Sequence, residues 1–511
     1  MWQRFTVDDI IAVAHYLGVL VTMFSVAMVV PLVTAVLFTE WEAIFRYLLG
    51  IGIALCIGTL LRMMRLDPGK MTHQQALAVT GFAWIILAVV ASIPLFLSGH
   101  YNSYMDALFE GVSGLTTTGA SLVMDLDHLS YADNMWRFTM HFIGGLGLIV
   151  IALSLGFMGR SSTGLYSSEG RSDHVVPNIV STTRTSACIS IIMVGAATCI
   201  LSLICMFGGM EPIRAFLNAL WVAISGFMTA GFTPTSLSIM YYHSYPLELV
   251  CMLLMILGSI SFALFVEVWR GKTFAFFKDI EIRTALIWII GMGFVFMAAI
   301  SSMGMLNDLP EMLRRGVFML VSAMTTTGFQ NITSNQLMTV ISSGALLTLA
   351  LLMSVGGSSG STAGGIKFLR LGLVAKSVIS TVKQAIAPDT ARVSVPFYHL
   401  GKHVLTADIV RLAMTVSALF IATYIAGSLV GIAYGYDATS SIFESIAMAS
   451  NGGLSSGIIT PGMPMGLEIF YLLEMWAGRL EFITLLALVV KIVVSLLPKN
   501  KKHFMDKIYR R

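Results

Sequence analysis

The stretch SGLTTTGAS, residues 113–121, interrupts an apolar chain at a point where a membrane segment would normally continue or end. Three further stretches hold the same place in later units: SGFMTAGFT (225–233), SAMTTTGFQ (322–330) and MASNGGLSS (448–456). The last aligns through its lead-in, because FEGVSGLTTTG (109–119) and FESIAMASNGG (443–453) both put glycine ten residues after phenylalanine. Gly119, Gly231, Gly328 and Gly453 are then 112, 97 and 125 residues apart. Each interval holds one full repeat, and internal repeats decide an architecture before any single segment does.

Around each turn the chain reads as long apolar helix, half-length helix, turn, long apolar helix. The long helices are expected at 77–98 and 135–158, 187–207 and 247–269, 283–304 and 336–380 (interrupted), and 409–434 and 467–496, after two leading helices at 14–38 and 44–62. The half-length runs, such as 104–115 and 437–449, are too short for a hydrocarbon core of roughly 30 Å and suit re-entry. The expected organisation is two leading helices (1–75), four repeats (76–160, 161–270, 271–380, 381–497) and a basic tail (498–511). This is an all-α polytopic membrane protein whose four pseudo-symmetric repeats surround one pore.

Composition agrees with that class. The 511 residues are 56% hydrophobic and 11% charged, leaving no room for a large water-soluble domain. The first apolar run is too long for a signal-peptide core, so it reads as a retained helix. Cys56, Cys188, Cys199, Cys205 and Cys251 lie within apolar runs without a CxxC pair and read as small core hydrophobes. A net charge of +4 suggests no nucleic-acid partner. Its distribution is more informative. Arg46, Arg137, Arg214, Arg314 and Arg315 are the five basic residues on the side of the turns, against 25 at the termini and inter-repeat loops, the last of the 31 being Arg479 within a helix. The positive-inside rule then puts both termini in the cytoplasm and opens the turns outward.

Non-helical backbone at membrane depth is tolerated only when buried in protein or lining a watery path. Four such turns about one axis would present a ring of carbonyls, the means by which a dehydrated monovalent cation is held. Glycine accepts the positive φ this needs, and threonine adds a hydroxyl without charge. No turn carries Asp, Glu, Lys or Arg, which argues against a divalent-cation or anion filter. The expected ion-binding residues are Thr117, Thr118, Gly119, Thr229, Ala230, Gly231, Thr326, Thr327, Gly328, Asn451, Gly452 and Gly453.

These repeats resemble the Trk/Ktr/HKT superfamily of potassium transport proteins, with one glycine per filter and, in the two leading helices, the TrkH-like branch. The resemblance covers nearly the whole chain. It implies potassium uptake through a channel-like subunit of the cell inner membrane, with K+ as the transported ion and no covalent cofactor. It also implies a homodimer regulated by a cytosolic nucleotide-binding subunit of TrkA type. The second turn (MTAGF) and the fourth (SNGGL) lack the triple threonine, so permeation by Rb+ or Na+, or ion-coupled symport on the same scaffold, is the alternative.

SVGGSSGSTAGGIKFLRL, 354–371, breaks the sixth repeat helix. A phosphate-cradling loop fails on spacing, because Gly365 is followed by Ile366 and Lys367 rather than by the lysine and hydroxyl residue of that motif. A broken helix of Gly, Ser and Thr can line a cavity and swing on glycines. In the resembled family the matching segment gates conduction, which makes Gly356, Gly357, Ser358, Ser359, Gly360, Ser361, Thr362, Ala363, Gly364 and Gly365 the expected gate; a permanent kink is the alternative. Arg479, in MWAGRLEFITLLALVV, is a costly intramembrane charge and by default functional or paired. Glu474 and Glu481 do not share its helix face, so its partner is expected elsewhere. The resemblance puts it near the permeation path, with a purely structural tie as the alternative. His399 and His403 have the i, i+4 spacing of a zinc site without a third ligand in the same loop, and are expected to be solvated. The tail from Pro498 is expected to meet anionic lipid or a cytosolic partner. A membrane enzyme would need convergent acid, base, nucleophile or metal residues, and none converge.

Overall fold

The computed structural model describes residues 4–64, 72–147, 179–301, 309–339, 341–388 and 394–496. The expected continuation of a helix to 158 and the basic tail lie outside the described residues.

The chain begins with α1 (Val7–Ala27) and α2 (Val29–Leu37), one apolar span with a break at Met28. Pro31 explains the break, since it cannot donate to the carbonyl four residues back. It returns as α3 (Trp41–Arg62). Gly18 and Gly58 let α1 and α3 touch backbone to backbone: a methyl group on Gly18 would lie 2.8 Å from Gly58 O.

Four units of one design follow. The first is α4 (His73–Phe96), short α5 (Tyr104–Thr116) and α6 (Tyr131–Leu146); the second is α7 (Ile179–Phe207), short α8 (Pro212–Phe227), α9 (Tyr245–Ser259) and α10 (Phe262–Trp269). After α11 (Thr273–Lys278), the third is α12 (Ile280–Ser301), short α13 (Leu309–Met324), α14 (Ser334–Thr339), α15 (Ser343–Ser354) and α16 (Phe368–Ile386). A hairpin of β1 (Pro396–Tyr398) and β2 (Lys402–Val404) leads to the fourth: α17 (Ala407–Ala433), short α18 (Ala438–Ala449), α19 (Met465–Arg479) and α20 (Ile483–Leu496).

Six described helices are long and apolar enough to cross a membrane, or seven if the bent pair α9 and α10 counts as one. The outer surface is correspondingly apolar, with Leu37, Phe207, Ile287 and Phe294 exposed. Large residues such as Tyr47, Trp136, Trp221 and Tyr471 pack inside. Cys205 and Cys251 are buried as expected, but Cys56, Cys188 and Cys199 are on the exposed apolar faces.

The second long helix of every unit departs from the expected pattern, which placed a break in the third alone. The first stops at Gly147, at φ +83°; α9 turns by 97° into α10; α15 opens into the glycine-rich loop; and α19 gives way to α20 through Glu481 and Phe482, both at positive φ. Each break faces the end of that unit's short helix.

Candidate functional site

Each short helix ends in the same backbone turn. Thr117, Thr229, Thr326 and Asn451 are left-handed, at φ 57°, 48°, 51° and 53°, and two residues later Gly119, Gly231, Gly328 and Gly453 take φ 84°, 86°, 92° and 61°. Their neighbours show how the turns meet. A methyl group on Gly119 would strike Ala230 O; on Gly231, Thr327 O; on Gly328, Gly452 O; and on Gly453, Thr118 O. Each glycine thus lies against the carbonyl that precedes the next unit's glycine, and the fourth unit returns to the first. The structure brings the twelve turn residues into one closed ring, and all but Gly119 are buried.

A second set of four glycines, of which sequence singled out Gly356 alone and as part of the gate, fixes the ring from behind. Gly144, Gly258, Gly356 and Gly478 press on Leu115 O, Phe227 O, Met324 O and Ala449 O, each carbonyl four residues before its unit's ring glycine. These glycines stand 25, 27, 28 and 25 residues after the ring glycines, a spacing that was available as a signal. They sit where the second helices break.

The four units are not equivalent. Thr116 shares a hydroxyl hydrogen bond with Thr118 at 2.8 Å, and Thr325 with Thr327 at 2.8 Å, in the two turns that read TTTG. In the fourth turn Asn451 Nδ2 donates to Thr118 Oγ1 at 2.9 Å and to Met475 O at 3.0 Å. Behind the first turn, buried Glu110 accepts from Leu122 N at 3.1 Å and from Arg137 Nε at 2.7 Å. Glu444 stands in the same place in the fourth, accepting from Ser456 N at 2.7 Å, with no basic partner among the described residues. Val222 and Met319 take this position in the other two units.

Beneath the ring lies the glycine-rich loop, buried save for Gly360. Thr362 Oγ1 is 3.1 Å from Thr229 Oγ1 and 2.8 Å from Gly258 O, and Gly364 N donates to Thr326 Oγ1 at 2.8 Å. Ser358 N donates to Ser259 O at 2.8 Å. The loop therefore satisfies carbonyls that the break after α9 would otherwise strand, as the membrane interior demands.

Arg479 closes the remaining quadrant. Sequence placed it within a long helix; it is instead the last residue of α19, where the dipole favours a cation. Its guanidinium donates to Thr117 Oγ1 and Thr362 O at 3.1 Å each, and to Gly144 O. The partner expected elsewhere is thus the first turn, the loop and the last turn of α6. Glu474 accepts from Ser445 Oγ at 2.8 Å, and Glu481 pairs with Arg370. Arg479, Lys367, Gly364, Asn451 and Trp84 line one cavity under the ring.

His399 and His403 do not make a solvated pair. His399 is buried against Asp279, Nδ1 to Oδ2 at 3.2 Å, while His403 Nε2 donates to the His399 carbonyl at 3.1 Å. Folding of the hairpin onto α12 removes the ring from water.

The TrkH family profile, described as cation transport protein, matches residues 43–496. The chain belongs to the TrkH family of cation transport proteins. An uncharacterised cation transporter of Methanocaldococcus jannaschii is similar to this TrkH-family chain at 30% identity, over 98% of this chain and 99% of that one. The Trk system potassium uptake protein TrkG of Escherichia coli K12 is also 30% identical, over 92% and 95%. The crystal structure of the potassium transporter TrkH from Vibrio parahaemolyticus shares the fold, with a TM-score of 0.80 at 22% identity over 96% of this chain and 99% of that one. The protein is a membrane-embedded, all-α member of a transporter family rather than of an enzyme family.

Proposed function

We propose that this TrkH-family protein takes up potassium across the cytoplasmic membrane through the ring of four turns. The observation that carries the reading is the closed circuit of backbone carbonyls against glycines, with no charged side chain in any turn. Such a ring suits a dehydrated monovalent cation, and the short helices direct their carbonyl ends, the negative ends of their dipoles, toward it. The potassium uptake function named for the Escherichia coli relative supports the choice of ion.

In this reading Thr117, Thr118, Gly119, Thr229, Ala230, Gly231, Thr326, Thr327, Gly328, Asn451, Gly452 and Gly453 select the ion. Residues 356–365 form the gate directly beneath, and Arg479 places a positive charge under the filter that keeps cations from lodging there. Both termini face the cytoplasm, and the 25 basic residues of that side support the orientation. A cytosolic TrkA-like nucleotide-binding subunit and a second copy of the chain complete the system.

The test is uptake of potassium, rubidium and sodium by purified protein in vesicles. Gly328→Ser puts a side-chain Cβ 2.9 Å from Gly453 Cα, and is expected to lower discrimination of potassium over sodium. A folded, conducting Gly328→Ser protein with the parent's selectivity would sink the filter assignment. Sodium uptake equal to potassium uptake in the parent would favour the sodium-permeable reading.

A further inference from the structure

Glu281 reaches the glycine-rich loop from outside the ring. Its Oε1 accepts the Ser359 N–H at 2.7 Å, and both residues are buried. Two residues earlier, Asp279 Oδ1 accepts the Glu281 N–H at 2.9 Å, while its Oδ2 accepts the Leu400 N–H at 3.2 Å and faces His399 Nδ1 at 3.2 Å. Leu400 and His399 form the bend of the β1–β2 hairpin. One unbroken hydrogen-bonded path thus runs from the hairpin to the loop through the start of α12. The same junction is sealed by Ile280, Leu373, Phe397 and Ala413, so α12, α16, the hairpin and α17 share one small apolar core.

We propose that Asp279 and Glu281 are a clamp by which the 396–404 hairpin holds the glycine-rich loop in its blocking position. The inference rests on the reading of that loop as the gate. A carboxylate in a dry site binds an N–H about twice as strongly as a neutral acceptor does. The N-terminus of α12 favours negative charge at Asp279 and Glu281. Ser359 is therefore the point at which the loop is held by an anion, while Thr362 O and Ala363 O are held by the cations of Arg479 and Lys367. Lys402, His403 and Val404 of the hairpin are exposed, so a force applied there is carried by a rigid two-stranded element to Asp279 and then to Ser359. Glu281 is a positioning residue that acts on the ion path only through the loop. The imidazole and two carboxylates lie within 4.8 Å of one another, a donor set that a transition metal also takes. The N–H groups already aimed at the carboxylate oxygens favour the clamp.

Rubidium uptake by the purified full chain in vesicles tests this, with the deletion of 358–363 as reference. Glu281→Ala removes the acceptor and should raise basal uptake about tenfold, the equivalent of about 1.4 kcal/mol. Glu281→Gln keeps an acceptor oxygen and should stay within about twofold of the parent, a rescue that general loosening would not give. His399→Ala, away from the loop, should raise uptake less, and should add nothing once Glu281 is alanine. It serves as the deciding variant if Glu281→Ala does not fold. Parent-level uptake in Glu281→Ala and His399→Ala, beside raised uptake in the deletion, overturns the clamp and leaves the gate. Unchanged uptake in the deletion overturns both. The clamp also falls if Glu281→Gln matches Glu281→Ala, or if zinc alters parental uptake and His399→Ala abolishes that response.

Discussion

Arg479 ends a helix instead of crossing one, and this resolves how a full positive charge survives at membrane depth. Two backbone carbonyls and a threonine hydroxyl accept its N–H hydrogen bonds, and those acceptors come from three different parts of the chain. Arg479→Ala removes the guanidinium donor from Thr362 O, a loss of about 1–3 kcal/mol, and leaves Gly144 O with the Gly147 N–H at 3.1 Å. Thermal unfolding of the purified protein is expected to show that loss together with altered rubidium uptake, whereas lowered stability with parental uptake would make the arginine a structural tie. Arg479→Lys should recover the charge but not the three-way contact, because an ammonium lacks the planar fork. A different outcome belongs to the buried pair Glu110 and Arg137. Arg137→Met leaves the Glu110 carboxylate unpaired at a cost of about 3–5 kcal/mol, and adding Glu110→Gln should return most of it. If the double variant unfolds no later than the single one on heating, the pair is not what Arg137 contributes. Sequence alone marks Arg479 as an anomaly because charge is rare in an apolar run. It cannot give the partners, since Thr117, Gly144 and Thr362 are distant in the chain and are assembled only by the ring.

The broken second helices show what periodicity can and cannot convey. The glycine-rich break in the third unit is visible because ten consecutive residues, Gly356 to Gly365, abandon apolar character. In LMILGSISF, residues 254–262, the composition stays apolar through the break, so 247–269 reads as one helix although α9 and α10 diverge by 97°. The break is made by tertiary contacts: Thr362 and Ser358 occupy Gly258 O and Ser259 O, replacing helical partners. Gly478 provides the sharpest probe of this layer, because a methyl group there would overlap Ala449 O. Gly478→Ala is expected to cost about 1–3 kcal/mol through overpacking and to disturb uptake, while Gly52→Ala, where no atom lies within 4 Å, should do neither. Equal melting temperatures for the two variants would refute a close-packed support behind the ring. Deleting 358–363 is expected to raise basal uptake and weaken its dependence on a cytosolic partner; parental flux and regulation in a folded deletion protein would make the loop a passive kink.

At the scale of the whole molecule, four units separated by about a hundred residues must close a circuit, and the last joint is between the fourth and the first. The repeat, the all-α class and the family were legible because each unit carries its own turn, short helix and flanking apolar runs. The order of contact around the ring was not, since it follows from which glycine meets which carbonyl. Asn451 is where closure acquires a side chain. Its amide reaches Thr118 Oγ1 across 333 residues of sequence and Met475 O within its own unit, so it fastens the fourth turn both to the first and to α19. The departure of SNGG from TTTG thus has a physical reason: the amide spans a joint that a threonine hydroxyl, with one proton, cannot hold at both ends. Asn451→Ala should therefore loosen the ring at this joint while leaving the Gly231 and Gly328 contacts intact. The expected outcome is a loss of about 1–3 kcal/mol in stability and a narrower margin between potassium and sodium uptake. Asn451→Thr should recover part of both by keeping one of the two bonds. Uptake ratios in vesicles and unfolding in detergent check this together. Parental selectivity in a folded Asn451→Ala protein would mean that the ring is held by its backbone packing alone, and that the fourth turn's asymmetry has no part in choosing the ion.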